Sequence, residues 1–267
     1  MIYSSSSLFG LERYKDSAFF LKRHLIYLLV GLIISLVIMS IDYRLLQKYS
    51  RPLLLVSFFL LALVLVPHIG WEIGGAKRWF RLGVFSFQPS ELAKFSIIVY
   101  MADALSRRQQ KLKSFLYGFL PPMFILGCCV GIILLQPDLG TAIAVTLVVF
   151  IMFFIAGIKL IHIIPVIISS LPALYILVFN VAYRRKRILA FLNPWEDPKG
   201  IGFQIIQSFI ALGSGGLFGV GLGKSRQKLL YLPAAHTDFI FSIIGEELGF
   251  IGCAFVILLF VVFILCV

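Results

Sequence analysis

The chain has 267 residues, of which 60% are hydrophobic and 13% are charged, and its formal net charge is +12. So small a share of charged residues excludes an ordinary soluble domain and indicates a polytopic membrane protein. The excess of Lys and Arg does not favour a nucleic-acid-binding protein, because anionic lipid headgroups or a phosphorylated lipid substrate suit so apolar a chain better.

Seven apolar segments of spanning or nearly spanning length follow one another along the chain. They cover residues 25–41, 53–69, 90–106, 116–135, 139–158, 163–182 and 239–267. All seven are predicted to be helices, since the strands of a membrane barrel would be shorter and would alternate apolar with polar residues. The predicted fold is an all-α, polytopic helical membrane protein, with residues 1–267 forming one integral-membrane domain.

The loops alternate in length, and their charges leave the membrane orientation open. The short loops hold eight Lys and Arg residues, whereas the N-terminal segment and the long loops 70–89 and 183–238 together hold fifteen. The positive-inside rule would place the long loops in the cytoplasm, but long loops count less in that rule. Within the second long loop, residues 202–213 are apolar enough for an interfacial or re-entrant helix.

A first polar constellation lies at residues 76–94, where a basic and aromatic loop leads into the third apolar segment. Ser90 is predicted near the start of that helix, with Glu91 in its first turn. Glu91 and Lys94 are three residues apart and therefore share a helical face at the mouth of the span. This pair is either an interfacial ion pair or part of a hydrated site, and the residues alone leave both interpretations open.

Two further stretches combine apolar sequence with carboxylates. In QPDLGTA, residues 136–142, Asp138 is placed to cap the following helix or to take part in a site. Asp238 lies at the edge of the last apolar segment, after a glycine-rich stretch with several cations. A carboxylate at membrane depth costs about 2.5–3.5 kcal/mol, so it needs a partner, a wet cavity or a catalytic role. Of the later pair Glu246 and Glu247, at most Glu246 is expected to face the same way as Asp238.

Four long motifs follow one another along the chain: GAKRWFRLGVFSFQPSELAK, QPDLGTA, NPWEDPKGIGFQIIQSFIALGSGG and HTDFIFSIIGEELGFIG. Together they resemble the SEDS family, which includes FtsW, RodA and SpoVE. The stretches NPWEDPKG and SRQKLLYLP favour the FtsW and SpoVE branch. Family members have about ten spans, and by comparison with that pattern the first span and the last two spans are expected to be missing here. Ala234 also stands where the family commonly has Glu.

The resemblance implies a peptidoglycan glycosyltransferase that polymerises lipid II at the outer face of the bacterial cytoplasmic membrane, in cell division or cell-shape maintenance. It implies that loops 70–89 and 183–238 face outward and that Asp238 is the catalytic base. The substrate-binding residues that it implies are Arg78, Gln88, Glu91, Lys94, Asp138, Gln207, Lys224, Lys228 and His236. Of these, Lys94 is expected to approach Asp238 and to compensate its charge.

Two other functions remain open at this stage. Charged residues in membrane segments also suit a lipid II flippase or transporter, and the chain could be a scaffold for a transpeptidase. The clustering of charges at one membrane face favours the enzyme. The expected partners are lipid II, undecaprenyl-diphosphate-linked glycan and a single-span class B penicillin-binding protein, with no nucleic acid. No cofactor is assigned from the sequence, and a divalent cation, Mg or Mn, would suit a diphosphate leaving group.

Overall fold

The computed structural model describes residues 2–67, 69–73, 76–82, 85–227 and 238–266. The helices are α1 (Ile2–Tyr14), α2 (Phe19–Met39), α3 (Tyr43–Leu63), α4 (Pro89–Arg107), α5 (Leu120–Leu135), α6 (Leu139–Ile155), α7 (Leu160–Phe179), α8 (Ala182–Leu192), α9 (Phe203–Ser214) and α10 (Ile240–Cys266). The strands are β1 (Trp71–Ile73), β2 (Ala76–Leu82) and β3 (Phe85–Phe87). Short 3-10 segments cover Gln109–Lys111 and Pro194–Glu196, and a π-helical turn, Phe115–Phe119, leads directly into α5.

Helices occupy all seven predicted apolar segments, and the protein is mostly helical. Among the described residues, five helical stretches are long and apolar enough to cross a membrane: α2, α3, Phe115–Leu135, α7 and α10. The predicted count of seven spans is not confirmed by this criterion. The two remaining helices fall short for different reasons, because α4 carries four charged side chains and α6 has only 17 residues.

The loop between α3 and α4 corrects the all-α prediction, because it contains a small antiparallel sheet. The central strand β2 pairs with β1 on one side and with β3 on the other, and Phe80 lies opposite Phe87. Aromatic and β-branched residues are frequent in this loop, and such residues suit a pleated surface. In the sequence, two glycines at 74 and 75 separate two such runs, and a Gly-Gly pair in that position is a hairpin signal.

The described residues form two compact units, which are treated separately: residues 39–173, and residues 1–38 together with 174–267. In the first unit α3 packs on α4, and α4 packs on α5 and α6. Its core is apolar side chains from these helices. The members with almost no exposed surface include Leu61, Ile97, Met101, Leu126, Ile133, Val149 and Phe153. This core fixes the α4 start and the α6 start relative to each other.

In the second unit, α9 and α1 both pack against α10. The helix predicted for residues 202–213 is therefore confirmed as α9, while its interfacial or re-entrant placement stays a prediction. No residue of α2 is buried. An apolar helix without a buried face is what lipid-facing helices look like, because lipid replaces the protein core around them.

Candidate active site

Three of the residues predicted to bind substrate come together where β2 meets the start of α6. Arg78 donates from Nε to the carbonyl of Gln136 at 2.9 Å and from Nη2 to the carbonyl of Pro137 at 2.6 Å. Its Nη1 also lies 3.9 Å from Oδ1 of Asp138. Gln88, which precedes α4, donates to Oδ2 of Asp138 at 3.5 Å. We call Arg78, Gln88, Asp138 and Thr141 the Asp138 cluster.

Asp138 also caps α6, which confirms one of the two roles predicted for it. Its carboxylate accepts from the Thr141 backbone N–H at 3.3 Å and from the Thr141 hydroxyl at 2.9 Å. The side chain is largely buried. Since the carboxylate and the Arg78 guanidinium are both engaged inside the protein, the cluster links the small sheet to α4 and α6.

Glu91 and Lys94 form the ion pair that their spacing predicted, with 2.8 Å between Oε2 and Nζ. The pair lies in the first turns of α4, and its side chains are 57% and 35% exposed. An exposed pair of this kind adds little stability. Lys94 is consequently available to an anionic ligand that approaches the α4 start.

The long loop before α10 is joined to that helix by backbone hydrogen bonds. α10 is interrupted at Gly249, which has φ 68° and ψ −165°. The break leaves two N–H and two C=O groups that a continuous helix would pair with each other. All four pair instead with residues 215–223, the glycine loop. The bonds are Val220 N to Glu246 O (2.9 Å), Gly221 N to Glu247 O (3.1 Å), Phe250 N to Gly216 O (2.9 Å) and Ile251 N to Leu217 O (3.2 Å).

Glycine is required in this loop because the two backbones approach closely. A Cβ atom on Gly215 would collide with the carbonyl of Gly245, and one on Gly219 would collide with the carbonyl of Glu247. Gly219 also has φ 79°, in the left-handed region that favours glycine. The glycines of this loop therefore serve its packing on α10.

The Glu246 carboxylate holds the end of the same loop. It is 2% exposed and accepts hydrogen bonds from the Ser225 hydroxyl, from the Arg226 N–H at 2.8 Å and from the Gln227 N–H at 3.4 Å. The sequence predicted at most that Glu246 faces the same way as Asp238, and its contact with residues 225–227 was not predicted. The only signal was a carboxylate inside an apolar helix, which says that a partner exists without saying which.

Asp238 is exposed and lies two residues before α10 begins. It makes no hydrogen bond or ion pair with any described residue. Lys224 is exposed as well, and Gln207 is half-buried on α9. Lys228 and His236 lie outside the described residues, as does Ala234.

The expected approach of Lys94 to Asp238 stays a prediction, because the two residues belong to different compact units. A protein-only metal site is likewise not seen: in the described part of the chain, no three His, Cys, Asp or Glu side chains are grouped to hold an ion. The site residues are therefore described separately within each unit. Asp238 and Lys224 belong to one unit, and the Asp138 cluster with the Glu91–Lys94 pair belongs to the other.

The probable peptidoglycan glycosyltransferase FtsW of Geobacter sp. (strain M18) is 50% identical over 264 residues, which are 99% of this chain and 72% of that protein. The stage V sporulation protein E of Bacillus subtilis (strain 168) is 45% identical over 260 residues, 97% of this chain and 71% of that protein.

Solved structures are similar to this chain as well. A chain from a study of how a peptidoglycan synthase complex coordinates polymerization and crosslinking has a TM-score of 0.71 and 32% identity, over 96% of this chain and 70% of that chain. The rod shape determining protein RodA of Thermus thermophilus has a TM-score of 0.60 and 30% identity, over 94% and 66%. The family described as cell cycle protein, with FtsW, RodA and SpoVE as its named types, matches residues 1–267. The chain belongs to this family.

Proposed function

We propose that this chain is a peptidoglycan glycosyltransferase that polymerises lipid II at the outer face of the bacterial cytoplasmic membrane, in cell division or cell-shape maintenance. The observation that carries the proposal is the exposed carboxylate of Asp238 directly before α10. The cationic segment that leads toward it is held at Ser225–Gln227 by the buried Glu246. The names of the relatives support the same activity.

The proposed reaction is a displacement at a sugar. The hydroxyl oxygen of an acceptor lipid II forms a bond to the anomeric carbon of the growing glycan, and the bond from that carbon to the diphosphate breaks. The hydroxyl proton passes to Asp238, and the polyprenyl diphosphate leaves with the bonding electrons. A solvated carboxylate that is not already saturated with donors suits the role of general base.

The leaving diphosphate needs positive charge, because negative charge builds up on it as the bond breaks. Lys94 and Lys224 are partly or fully exposed and are the cations that we propose for this task. Arg78 suits it less than its sequence position suggested, since its guanidinium already donates to two backbone carbonyls. We assign Arg78 to holding the small sheet at the α6 start.

A divalent cation is compatible with this arrangement, although the described residues do not form a complete metal site. Mg²⁺ usually binds through one or two carboxylates together with substrate phosphates, so a group of three protein ligands is not required. Asp238 is the carboxylate that would hold such an ion beside the diphosphate. The cation would neutralise the leaving group, and the proton transfer proposed above does not depend on it.

We propose that α4 and α6 also cross the membrane, which gives seven spans with residues 183–238 outside. The charges of α4 support this, because they form two internal ion pairs, Glu91 with Lys94 and Asp103 with Arg107. Paired charges cost less in a membrane than isolated ones. In intact cells, Lys199→Cys should react with an impermeant maleimide and Lys111→Cys should not. The reverse labelling would contradict polymerisation at the outer face.

The activity is tested with the purified protein in proteoliposomes that contain fluorescent lipid II. We expect glycan chains with the wild-type protein and none with Asp238→Ala, which controls for a contaminating polymerase. Chains formed equally by both proteins would contradict the role of Asp238. If the wild-type protein forms no chains but moves lipid II between leaflets, the chain is a flippase.

The interruption of α10 is the observation that favours a flippase, because broken helices with paired backbone groups are frequent in transporters.

A transpeptidase partner is proposed on other grounds, since the solved relative comes from a complex that coordinates polymerization and crosslinking. A single-span class B penicillin-binding protein should therefore co-purify with this chain. Its loss should leave lipid II polymerisation by the isolated chain measurable, which separates the enzyme from a scaffold.

A further inference from the structure

A cavity of about 490 Å³ lies at the far end of α4 from the Glu91–Lys94 pair. It is formed where α4 ends, where the 3-10 segment follows, and where the chain turns into Phe115–Leu135. The lining residues with polar groups include Arg107, Arg108, Gln109, Gln110, Lys111 and Tyr117. We call this cavity the basic pocket. Nothing in the proposed glycosyl transfer uses it.

The pocket has an excess of positive charge. Arg107 donates to Asp103 at 2.6 Å, and this carboxylate is buried and also accepts from Gln47 and Ser50. Asp103 therefore balances one of the three cations. Arg108 and Lys111 have no carboxylate within ion-pair distance among the described residues. Two cations and two amide side chains thus face a cavity without a balancing anion, which suits an anionic group.

An apolar groove of about 350 Å³ adjoins this pocket between α3 and α4. Tyr43, Leu46, Ile98, Val99 and Ala102 line it, and the same Ser106 lines both the groove and the basic pocket. The ion pair described above also joins the two, since Asp103 belongs to the groove and Arg107 to the pocket. A cationic pocket thus continues into an apolar furrow.

The position of the pocket along α4 fits the boundary of a bilayer. The 19 residues of α4 extend about 28 Å, close to the thickness of about 30 Å of the hydrocarbon core. With α4 spanning the membrane as proposed above, the basic pocket lies at the headgroup level of the membrane face opposite the Glu91–Lys94 end. The exposed Tyr117 ring at its rim suits that level too, because Tyr is enriched at membrane interfaces.

We propose that the basic pocket and the apolar groove together bind one anionic phospholipid of the surrounding bilayer. The phosphate lies among Arg108, Lys111 and the amides, and an acyl chain lies in the groove. Charge complementarity selects an anionic over a zwitterionic headgroup, and the groove selects a lipid over a soluble phosphate. The site is distinct from the proposed lipid II site because it lies at the other end of α4.

The test is native mass spectrometry of the purified protein with phosphatidylglycerol or phosphatidylcholine. We expect selective retention of phosphatidylglycerol, and at least tenfold weaker binding to Arg108→Gln/Lys111→Gln. The matched control is Arg44→Gln/Lys48→Gln, which removes the same charge from the α3 start outside the pocket and should bind as the wild type does. Ala102→Phe fills the groove and should weaken phosphatidylglycerol binding without removing charge.

Three outcomes would overturn the proposal. Equal weakening by the pocket variant and the control variant would indicate diffuse attraction to positive charge. Displacement of phosphatidylglycerol by millimolar inorganic phosphate, with no effect of Ala102→Phe, would indicate a soluble anion site. Equal retention of both lipids would remove headgroup selection. Thermal unfolding of each variant shows that it is folded, and none of these results depends on polymerase activity.

Discussion

Asp238 and Glu246 lie about two helical turns apart, yet their surroundings are opposite. Asp238 is exposed and makes no hydrogen bond with any described residue, whereas Glu246 is buried and its two oxygens accept three hydrogen bonds. A general base needs free acceptor capacity and water, while a carboxylate that holds a loop needs to be saturated. Asp238 is therefore suited to act as the general base, and Glu246 is suited to hold the loop in place.

The comparison predicts its largest effect at Asp238. Replacement of this residue by Asn keeps its size but removes the proton acceptor, so kcat for lipid II polymerisation should fall by about 10²–10⁴-fold. Lipid II binding should change little, since the lipid tail and the cations remain. Glu196→Gln, another exposed acid in the same loop, is the matched control and should keep near wild-type kcat. A rate within a few-fold of wild type for Asp238→Asn would make Asp238 structural.

Lys94 gives the next largest effect if it stabilises the leaving diphosphate. Lys94→Ala should reduce polymerisation by about 10²–10³-fold, the usual loss when one electrostatic donor is removed. Glu91→Gln removes the same ion pair but keeps the cation, so it should reduce the rate far less. Polymerisation rates of the two variants in proteoliposomes check this. Equal and small effects would mean that the pair is only an interfacial ion pair.

Glu246→Gln tests whether the buried carboxylate holds the loop at Ser225–Gln227. The amide has one acceptor oxygen in place of two and adds two donors, so the donors at Ser225–Gln227 lose partners at a cost of about 1–3 kcal/mol in the free energy of unfolding. Ser225→Ala should add little on top of Glu246→Gln, because the two groups act together. Thermal unfolding and the maleimide reactivity of Arg226→Cys measure both effects. Additive losses, or unchanged reactivity at position 226, would separate Glu246 from the loop.

The smallest effect is expected at Asp138, another largely buried carboxylate. Asp138→Asn keeps an acceptor for the Thr141 N–H, and the Thr141 hydroxyl can turn to accept from the new amide. The variant loses the attraction to Arg78 and the long hydrogen bond from Gln88, so stability should fall by less than about 1 kcal/mol. Asp138→Ala also removes the cap and should cost about 0.5–2 kcal/mol. Thermal unfolding of both variants separates capping from charge. A large loss of lipid II binding in Asp138→Asn, with stability intact, would return Asp138 to the substrate site.

Local patterns predicted what depends on neighbours in the sequence. Hydrophobic segments gave the positions of the helices, three-residue spacing gave the Glu91–Lys94 pair, and Asp138 ahead of an apolar run gave a cap. These features depend on helical geometry within a few residues. They were predictable because a single helix is enough to form them.

Features that need two distant segments were missed. The hydrogen bonds of Glu246 to residues about twenty positions earlier have no periodic signal, and neither does the exchange of backbone bonds between the glycine loop and α10. The small sheet was missed for another reason, since its strands of three to seven residues are too short to produce a clear alternation. Engagement of Arg78 by two carbonyls also required the fold, because backbone acceptors carry no sequence signature.

The interruption of α10 has a consequence for how the chain is inserted during synthesis. Gly249 lies about 13 Å along the helix from its start, and unpaired peptide groups at that depth cost several kcal/mol each. α10 alone would enter lipid with four such groups exposed, so the glycine loop must accompany it. Because that loop precedes α10 in the chain, it has already been synthesised when α10 leaves the ribosome. We therefore expect α9, the glycine loop and α10 to partition from the translocon as a single hairpin.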